Sequence, residues 1–425
     1  MTTSCMKLSK RSSPIMFPKY LEDLTLSEES YRILEPLVVT SRLLGLCPVT
    51  FKKIGTIYKL KWSAAFLIYS YASVVALASL TMVGLISDSR QEADAVRMKD
   101  RKTTYITACD FSTVIFIDLF SVVSIPYRMK NFWHMVGIWS DIDALAPLNG
   151  YSTSRRCSII FLMVAMAATT LLFCYDMFSY AVEASCRTCF LTNFTAYYLL
   201  YFMIFFQGVF IWHLLYFINI RIVSLNRCLD IEKKRLKQGT KKIFVIPYKI
   251  TNGANDDQKS RADSPDVAAR IAELLKVYDR IRESVFIFNT SPSFGVVMLI
   301  LSCLIHLVVS PYFLLLEIIR RGSTLFTTLY LLWVIAHTGR LLMIVEPCHR
   351  CLSEITITKS LICELMRLYV DRDVNKTLKH FLAHLSLCEI TFEGCGFFVI
   401  SRNLLTTIAG AVTTYLVILF QFNNT

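Results

Sequence analysis

The sequence predicts an all-α membrane protein with seven transmembrane helices, a cytoplasmic N-terminus, an extracellular C-terminus and a cytoplasmic helical anchor domain. Hydrophobic residues make up 54% of the 425 residues and the mean hydropathy is +0.49, which is too apolar for one soluble domain. The apolar residues are grouped in runs of about 20 or more, enough to cross a hydrocarbon core of ~30 Å as helices. Backbone polar groups in lipid must be paired within the segment, so each run is predicted to be helical.

Seven runs meet this requirement. Most of the 45 Lys and Arg residues fall in the N-terminal tail and in the loops after runs two, four and six. Because Lys and Arg concentrate on the cytoplasmic side, the N-terminus is expected inside and the C-terminus outside, the reverse of a G-protein-coupled receptor. The net charge of +13 follows from this bias and gives no reason to expect a nucleic-acid partner. The predicted spans are residues 62–86, 104–127, 158–182, 193–220, 293–318, 325–345 and 397–422.

The spans divide the chain into six parts. Residues 1–61 are expected to form a cytoplasmic tail with an amphipathic helix broken at Pro48, and 62–220 contain helices one to four. The remaining parts are a cytoplasmic loop with a flexible insert and an anchor helix (221–292), helices five and six (293–345), further anchor helices (346–396), and helix seven with a short outer tail (397–425).

The cytoplasmic parts contain amphipathic stretches. Steps of four and three separate the apolar residues of the strongest one, which is typical of a helix packed against another helix. These residues are Val267, Ile271, Leu274, Tyr278, Ile281, Val285 and Phe288. Similar stretches run through 355–369 and 374–392. The apolar stripes need partners, and two interpretations are open: they bury one another within one subunit, or they form a subunit-assembly domain.

Ionisable residues interrupt several spans. A charge in lipid is costly, so such residues usually face a cavity or a partner. Asp110, Asp176 and His306 lie in or near the outer halves, and aromatic residues including Tyr180, Tyr198 and Trp333 cluster at the same depth. These six residues are the predicted ligand-binding residues. Carboxylates with aromatic faces suit a polyol and an alkaloid equally well, and the alternative is that the aromatics pack or sit in the interfacial belt.

Other chemistry has little support in the sequence. The chain has no phosphate-binding loop, no paired-His metalloprotease motif and no Gly-X-Ser-X-Gly turn, so an enzyme is not expected. Cys348, His349 and Cys351 lack a second ligand pair at zinc spacing, so neither a metal nor another cofactor is expected. Cys186 and Cys189 lie on the outer side, where oxidation is possible, but the short separation disfavours a disulfide between them.

The last span carries a small or polar face. Thr407, Ala411, Thr414, Ile418 and Gln421 recur at helical spacing, with one branched apolar residue among small and polar ones. Such a face suits a water-filled pore with a hydrophobic gate at Ile418. The alternative is a helix interface in which Thr and Gln bond to neighbouring helices.

The end of the chain resembles the terminal signature of insect gustatory receptors. Thr414 and Tyr415, five hydrophobic residues, then Gln421 and Phe422 match that signature at every position. Residues 394–405 resemble the family's approach to the last span, and Gly45 with Pro48 is similar to its N-terminal entry. The number of spans and the inside N-terminus agree over nearly the whole length.

The resemblance implies a fold and a function. It implies a tetramer in which the last helix of each subunit lines one central pore, above a shared anchor domain, with one outward-facing ligand pocket per subunit. By position, Ile418 and Phe422 would form the gate, with the polar ring of Gln421 beside it and Thr414 on the same face. The sugar-receptor branch tends to have Glu after the Tyr, where this chain has Leu416, so a fructose-type or bitter-type receptor remains open.

The leading hypothesis is therefore a gustatory receptor in the plasma membrane of a sensory neuron. It would be a non-selective cation channel opened by a small-molecule tastant, as a homotetramer or a heteromer with related receptors. Its partners would be the tastant, cations and the lipid bilayer. The alternatives are a small-molecule transporter, although the internal repeat common in transporters is absent, or an accessory subunit of a related chemoreceptor channel.

Overall fold

The computed structural model describes residues 25–55, 57–90, 97, 101–148, 151–244, 256–369 and 371–423. Seven of its helices are long and apolar enough to cross a membrane, which confirms the seven predicted spans. They are α2 (Ala64–Arg90), α3 (Arg101–Val123), α5 (Tyr151–Glu183), α6 (Arg187–Phe244), α8 (Ser293–Ile319), α9 (Thr324–Leu368) and α11 (Arg402–Asn423).

Two predicted span boundaries were wrong. Span two ends at Val123 rather than at 127, because a proline in the first turn begins a new helix, α4 (Ile125–Leu145). Span seven begins at Arg402 rather than at 397. The preceding residues form a hairpin of β4 (Glu393–Gly394) and β5 (Phe398–Val399), whose turn contains Gly396 at a φ of +74°.

Helices α6 and α9 extend well beyond the membrane. At ~1.5 Å per residue, the 58 residues of α6 span about 87 Å, almost three times the thickness of a hydrocarbon core. The extensions of α6 and α9 join α4, α7 (Asp256–Thr290) and α10 (Arg372–Leu387) in a helical bundle on the side opposite the α8–α9 turn.

The apolar stripes of α7 and α10 face each other within this bundle. Tyr278 of α7 packs against Phe381 of α10 at 6.1 Å between ring centroids, and its hydroxyl donates to the Cys388 carbonyl at 2.9 Å. Ile281 and Phe288 of α7 are also buried. The stripes therefore bury one another within one subunit, which is the first of the two interpretations.

The N-terminal part combines a helix with a small sheet that was not predicted. The amphipathic helix is α1 (Glu28–Leu43), with its apolar face buried. An antiparallel sheet of order β1-β3-β2 lies beside it, formed by β1 (Thr25–Ser27), β2 (Val49–Ile54) and β3 (Ile57–Trp62). Gly55, at a φ of +64°, permits the tight turn between β2 and β3.

Helix α6 is central to the membrane part and contacts α2, α3, α5 and α9, whereas α11 packs against α8 and α9. At its start, Cys186 and Cys189 form a disulfide, contrary to the expectation from their spacing. The bend before α6 brings their Cα atoms to 5.3 Å, a distance that a disulfide commonly spans.

Candidate functional site

A cavity of about 330 Å³ opens among the helix ends that adjoin the loops after spans one, three and five. This is the side that the charge distribution predicts to be outside. The ends of α3, α5, α6, α8 and α9 line the cavity, together with Arg97 from the segment between α2 and α3. Its walls carry carboxylates, imidazoles and aromatic rings, so the cavity can offer a ligand both polar contacts and flat apolar faces.

Asp176 of α5 anchors the first polar cluster. Its Oδ2 accepts from the Arg97 guanidinium at 2.7 Å and from the Tyr198 hydroxyl, and its Oδ1 accepts from the Trp333 indole at 2.9 Å. Burial alone would lower the pKa of Arg97, but the neighbouring Tyr198 and Asp176 raise that pKa well above its ordinary value. The guanidinium is therefore charged and its ion pair is held in a largely dry place.

Asp110 of α3 anchors the second cluster. His306 Nε2 lies 2.5 Å from its Oδ1, and the Tyr197 hydroxyl donates to its Oδ2 at 2.7 Å. The His306 ring stacks on His337 at 4.6 Å between centroids, and His337 Nδ1 lies 3.4 Å from the buried Arg340 guanidinium. The polar groups thus continue from the cavity into the centre of the bundle.

Aromatic rings form the other walls. Trp333 stacks on Tyr201 at 5.2 Å and an interplanar angle of 14°. The hydroxyls of Tyr180 and Tyr330 lie 3.4 Å apart. Flat, rigid rings of this kind lose little conformational entropy when they contact a ligand, and they suit the face of a sugar ring or an aromatic compound.

The six predicted ligand-binding residues come together at this place. Asp110, Asp176, Tyr180, His306 and Trp333 line the cavity, whereas Tyr198 lies behind the wall and holds Arg97 and Asp176. The sequence reasoning missed Arg97, because a charged residue in a polar outer segment looks like any solvated arginine.

The last helix is only partly covered. Leu404, Leu405, Ile408 and Val412 of α11 pack against the core. Thr414, Ile418 and Gln421, from the predicted pore face, are exposed. The side chain of Phe422, the fourth predicted residue of the gate, lies outside the described part of the chain. One apolar residue of α11 reaches a residue of the cavity wall: the ring of Phe420 lies 6.3 Å from that of Tyr312.

Within the residues that the structure describes, no group of three or more His, Cys, Asp or Glu side chains could hold a metal ion. Cys348 and Cys351 are both buried within the bundle, and Cys351 Sγ contacts the carbonyl of Leu215 at 3.6 Å. Both thiols therefore lie in packed positions of the helix bundle.

Comparison with known proteins supports a chemosensory assignment. A family model described as 7tm Chemosensory receptor matches residues 34–424. The chain is 26% identical over 415 residues to a Drosophila melanogaster protein named gustatory receptor for sugar taste 43a, covering 91% of this chain and 96% of that protein. It is also 26% identical over 166 residues to putative gustatory receptor 28b of the same species, covering 37% of this chain and 35% of that protein.

Solved structures show the same fold. The insect olfactory receptor OR5 from Machilis hrabei superimposes with a TM-score of 0.62 at 14% identity, covering 92% of this chain and 97% of that one. The same receptor in complex with eugenol gives a TM-score of 0.61 at 12% identity, with the same coverage. The predicted family resemblance is confirmed, and so is the predicted all-α fold with seven membrane-spanning helices; the orientation of the termini stays a prediction.

Proposed function

Because the chain belongs to the seven-transmembrane chemosensory receptor family, we propose that it is a gustatory receptor and forms a ligand-gated, non-selective cation channel. Membership of this family makes the chain a multi-pass membrane receptor and not an enzyme. Beyond family membership, we propose the class of ligand, the site at which the ligand binds, and the helix that lines the pore.

The observation that carries the proposal is the contact between Tyr312 and Phe420. Tyr312 of α8 lines the cavity, and its ring meets that of Phe420 edge to face on the covered side of α11. A ligand that displaces Tyr312 would therefore act on α11 through this ring contact. The opposite side of α11 carries Thr414, Ile418 and Gln421, which we propose as the pore lining and gate.

A sugar is the first candidate ligand, and a bitter compound the second. The cavity volume of about 330 Å³ is at the lower end of the range for small-molecule sites. Carboxylates and ring faces suit a sugar, which presents hydroxyls at its edge and C–H groups on its faces. The likeness to a receptor named for sugar taste supports testing sugars before bitter compounds. The sugar-receptor branch tends to have Glu at the position of Leu416, so bitter compounds are tested as well.

Assembly follows from the exposed side of α11. A single helix cannot enclose a pore, so copies of α11 from several subunits must surround a common axis. We propose a homotetramer, or a heteromer with related receptors, in the plasma membrane of a sensory neuron. In that arrangement, a ring of Ile418 side chains excludes water from the closed pore.

Whole-cell recording from cells that express this chain alone tests the proposal. Sugars, then bitter compounds, should evoke a cation current with no second receptor present. Tyr312→Ala should raise the half-activating concentration roughly threefold to tenfold, since an aromatic pair contributes about 0.5–1.5 kcal/mol. The matched control is Leu315→Ala, which changes an exposed residue of the same helix.

Three outcomes would contradict parts of the proposal. Uptake of labelled ligand without current would indicate a transporter. A current that requires co-expression of a related receptor would rule out the homotetramer, in favour of the heteromer or of an accessory subunit. An unchanged dose–response curve for Tyr312→Ala would refute the coupling through Phe420 even if the channel is functional.

A further inference from the structure

The Arg97 guanidinium occupies a complete site for an organic cation. Its carbon lies 4.2 Å from the centroid of the Tyr180 ring, and three more aromatic rings lie within 6 Å of it. The Asp176 carboxylate forms an ion pair with it, with 2.7 Å between Oδ2 and the guanidinium Nη2. An aromatic cage closed by one carboxylate is the arrangement that proteins use to bind guanidinium and ammonium ligands. In this chain, the cation inside the cage is the side chain of Arg97 itself.

The carboxylates of the cavity wall already hold partners of their own. Both oxygens of Asp176 accept hydrogen bonds, from Arg97 and Tyr198 on one side and Trp333 on the other. Both oxygens of Asp110 are also bonded, to His306 and Tyr197. A cationic ligand at the Asp176 cage would have to compete with the Arg97 guanidinium for the carboxylate and the rings.

We propose that Arg97 is a specificity-determining residue: it fills a built-in organic-cation site, formed by Asp176 and the surrounding rings, and thereby keeps small organic cations out of this part of the cavity. The inference rests on the proposed function in that the cavity is the ligand site. It goes beyond that function because it names the class of ligand that is rejected and the residue that rejects it. Removing the Arg97 side chain should leave an empty cage with a free carboxylate, which would then accept a small cation.

The test measures the thermal unfolding midpoint of the purified receptor against added methylguanidinium, with uncharged methylurea as the control probe. Methylguanidinium at millimolar concentration should raise the midpoint of Arg97→Ala, and its half-saturating concentration should be roughly tenfold or more below that of the wild type. Methylurea should have no effect on either protein. The measurement needs no channel current, so its failure and the failure of the proposed function are separate results.

Two matched variants locate the effect. Arg320→Ala removes the same charge from the same cavity but leaves the cage filled, so it should behave like the wild type. Arg97→Ala combined with Asp176→Asn should lose the methylguanidinium effect. An effect that persists in this double variant belongs to the other acidic residues of the cavity, Glu183 and Glu317, and overturns the proposal.

A variant that does not fold still gives a result. If Arg97→Ala folds only when methylguanidinium is present during expression and purification, the rescue supports the proposal. If it does not fold in either condition, Arg97→Gln is measured, which removes the charge and keeps a donor for Asp176. Equal stabilisation of Arg97→Gln and the wild type, or of Arg97→Ala and the wild type, would refute the role of Arg97.

Discussion

At the scale of single residues, the two buried carboxylates of the cavity depend on different partners. Asp176 is held by a permanent cation, Arg97, and Asp110 by an imidazole, His306. Removing one member of a buried ion pair leaves a charge without compensation, which destabilises a protein by about 3–5 kcal/mol. The fold therefore depends on both members of each pair being present, in addition to any role of these residues in ligand binding.

Asp176→Asn tests this dual role. The amide keeps the size of the side chain and removes the charge that faces Arg97, so the free energy of unfolding should fall by about 3 kcal/mol. The half-activating ligand concentration should also shift. The control is Glu283→Gln, which breaks an exposed pair with Arg280 and should cost less than about 1 kcal/mol. Equal loss in the two variants, measured by thermal unfolding, would mean that the Asp176 pair is not buried in solution.

The sequence predicts part of this site for a physical reason. Asp110, Asp176 and His306 are conspicuous because ionisable groups are costly in apolar spans. Arg97 is not conspicuous, because nothing in a polar segment indicates which arginine turns inward. Which partner each carboxylate has depends on how the helices are arranged, and no spacing within one helix encodes that.

At the scale of the elements, α2 and α6 cross at a point where there is no room for a side chain. A Cβ atom added to Gly84 would lie 2.0 Å from the Asn193 carbonyl oxygen. Gly84→Ala should therefore push α2 away from α6, at a cost of about 1–3 kcal/mol in the free energy of unfolding. The control is Gly339→Ala in α9, where a Cβ would meet nothing within 4 Å. Normal stability of Gly84→Ala in a thermal unfolding assay would contradict this crossing.

The stripe of α7 offers a second test at this scale. Ile281 is 1% exposed, whereas Phe286 on the same helix is 63% exposed. Ile281→Ala should lower the free energy of unfolding by about 2–5 kcal/mol, because it opens a hole in the bundle. Phe286→Ala should leave it nearly unchanged. The opposite ranking in a denaturation experiment would mean that the stripe faces another subunit rather than α10.

The elements differ in how well the sequence predicts them. The seven spans are predictable because lipid imposes length and apolarity together. Helix α4 was not predicted, although Trp133 and Trp139 on it are buried, because the charged residues near both of its ends look like an ordinary loop. The β1-β3-β2 sheet was missed because short strands with lysines on them carry only a weak alternating pattern.

At the scale of the whole molecule, the proposed channel depends on where α11 lies. The helix sits at the edge of the subunit with one face against α8 and α9, and its opposite face carries Thr414, Ile418 and Gln421. If that face met lipid, its hydroxyl and amide groups would gain few hydrogen bonds. Around a shared axis they would meet water and ions, and Ile418 would supply the apolar constriction.

Cysteine accessibility during gating shows whether this face of α11 lines the pore. Ile418→Cys and Leu419→Cys are expressed separately, and a charged thiol reagent is applied from outside while ligand holds the channel open. We predict that the reagent blocks the current of Ile418→Cys and spares that of Leu419→Cys, because Leu419 is more covered by its own subunit. Equal block at both positions, or no block at 418, would mean that α11 does not line the pore with this face.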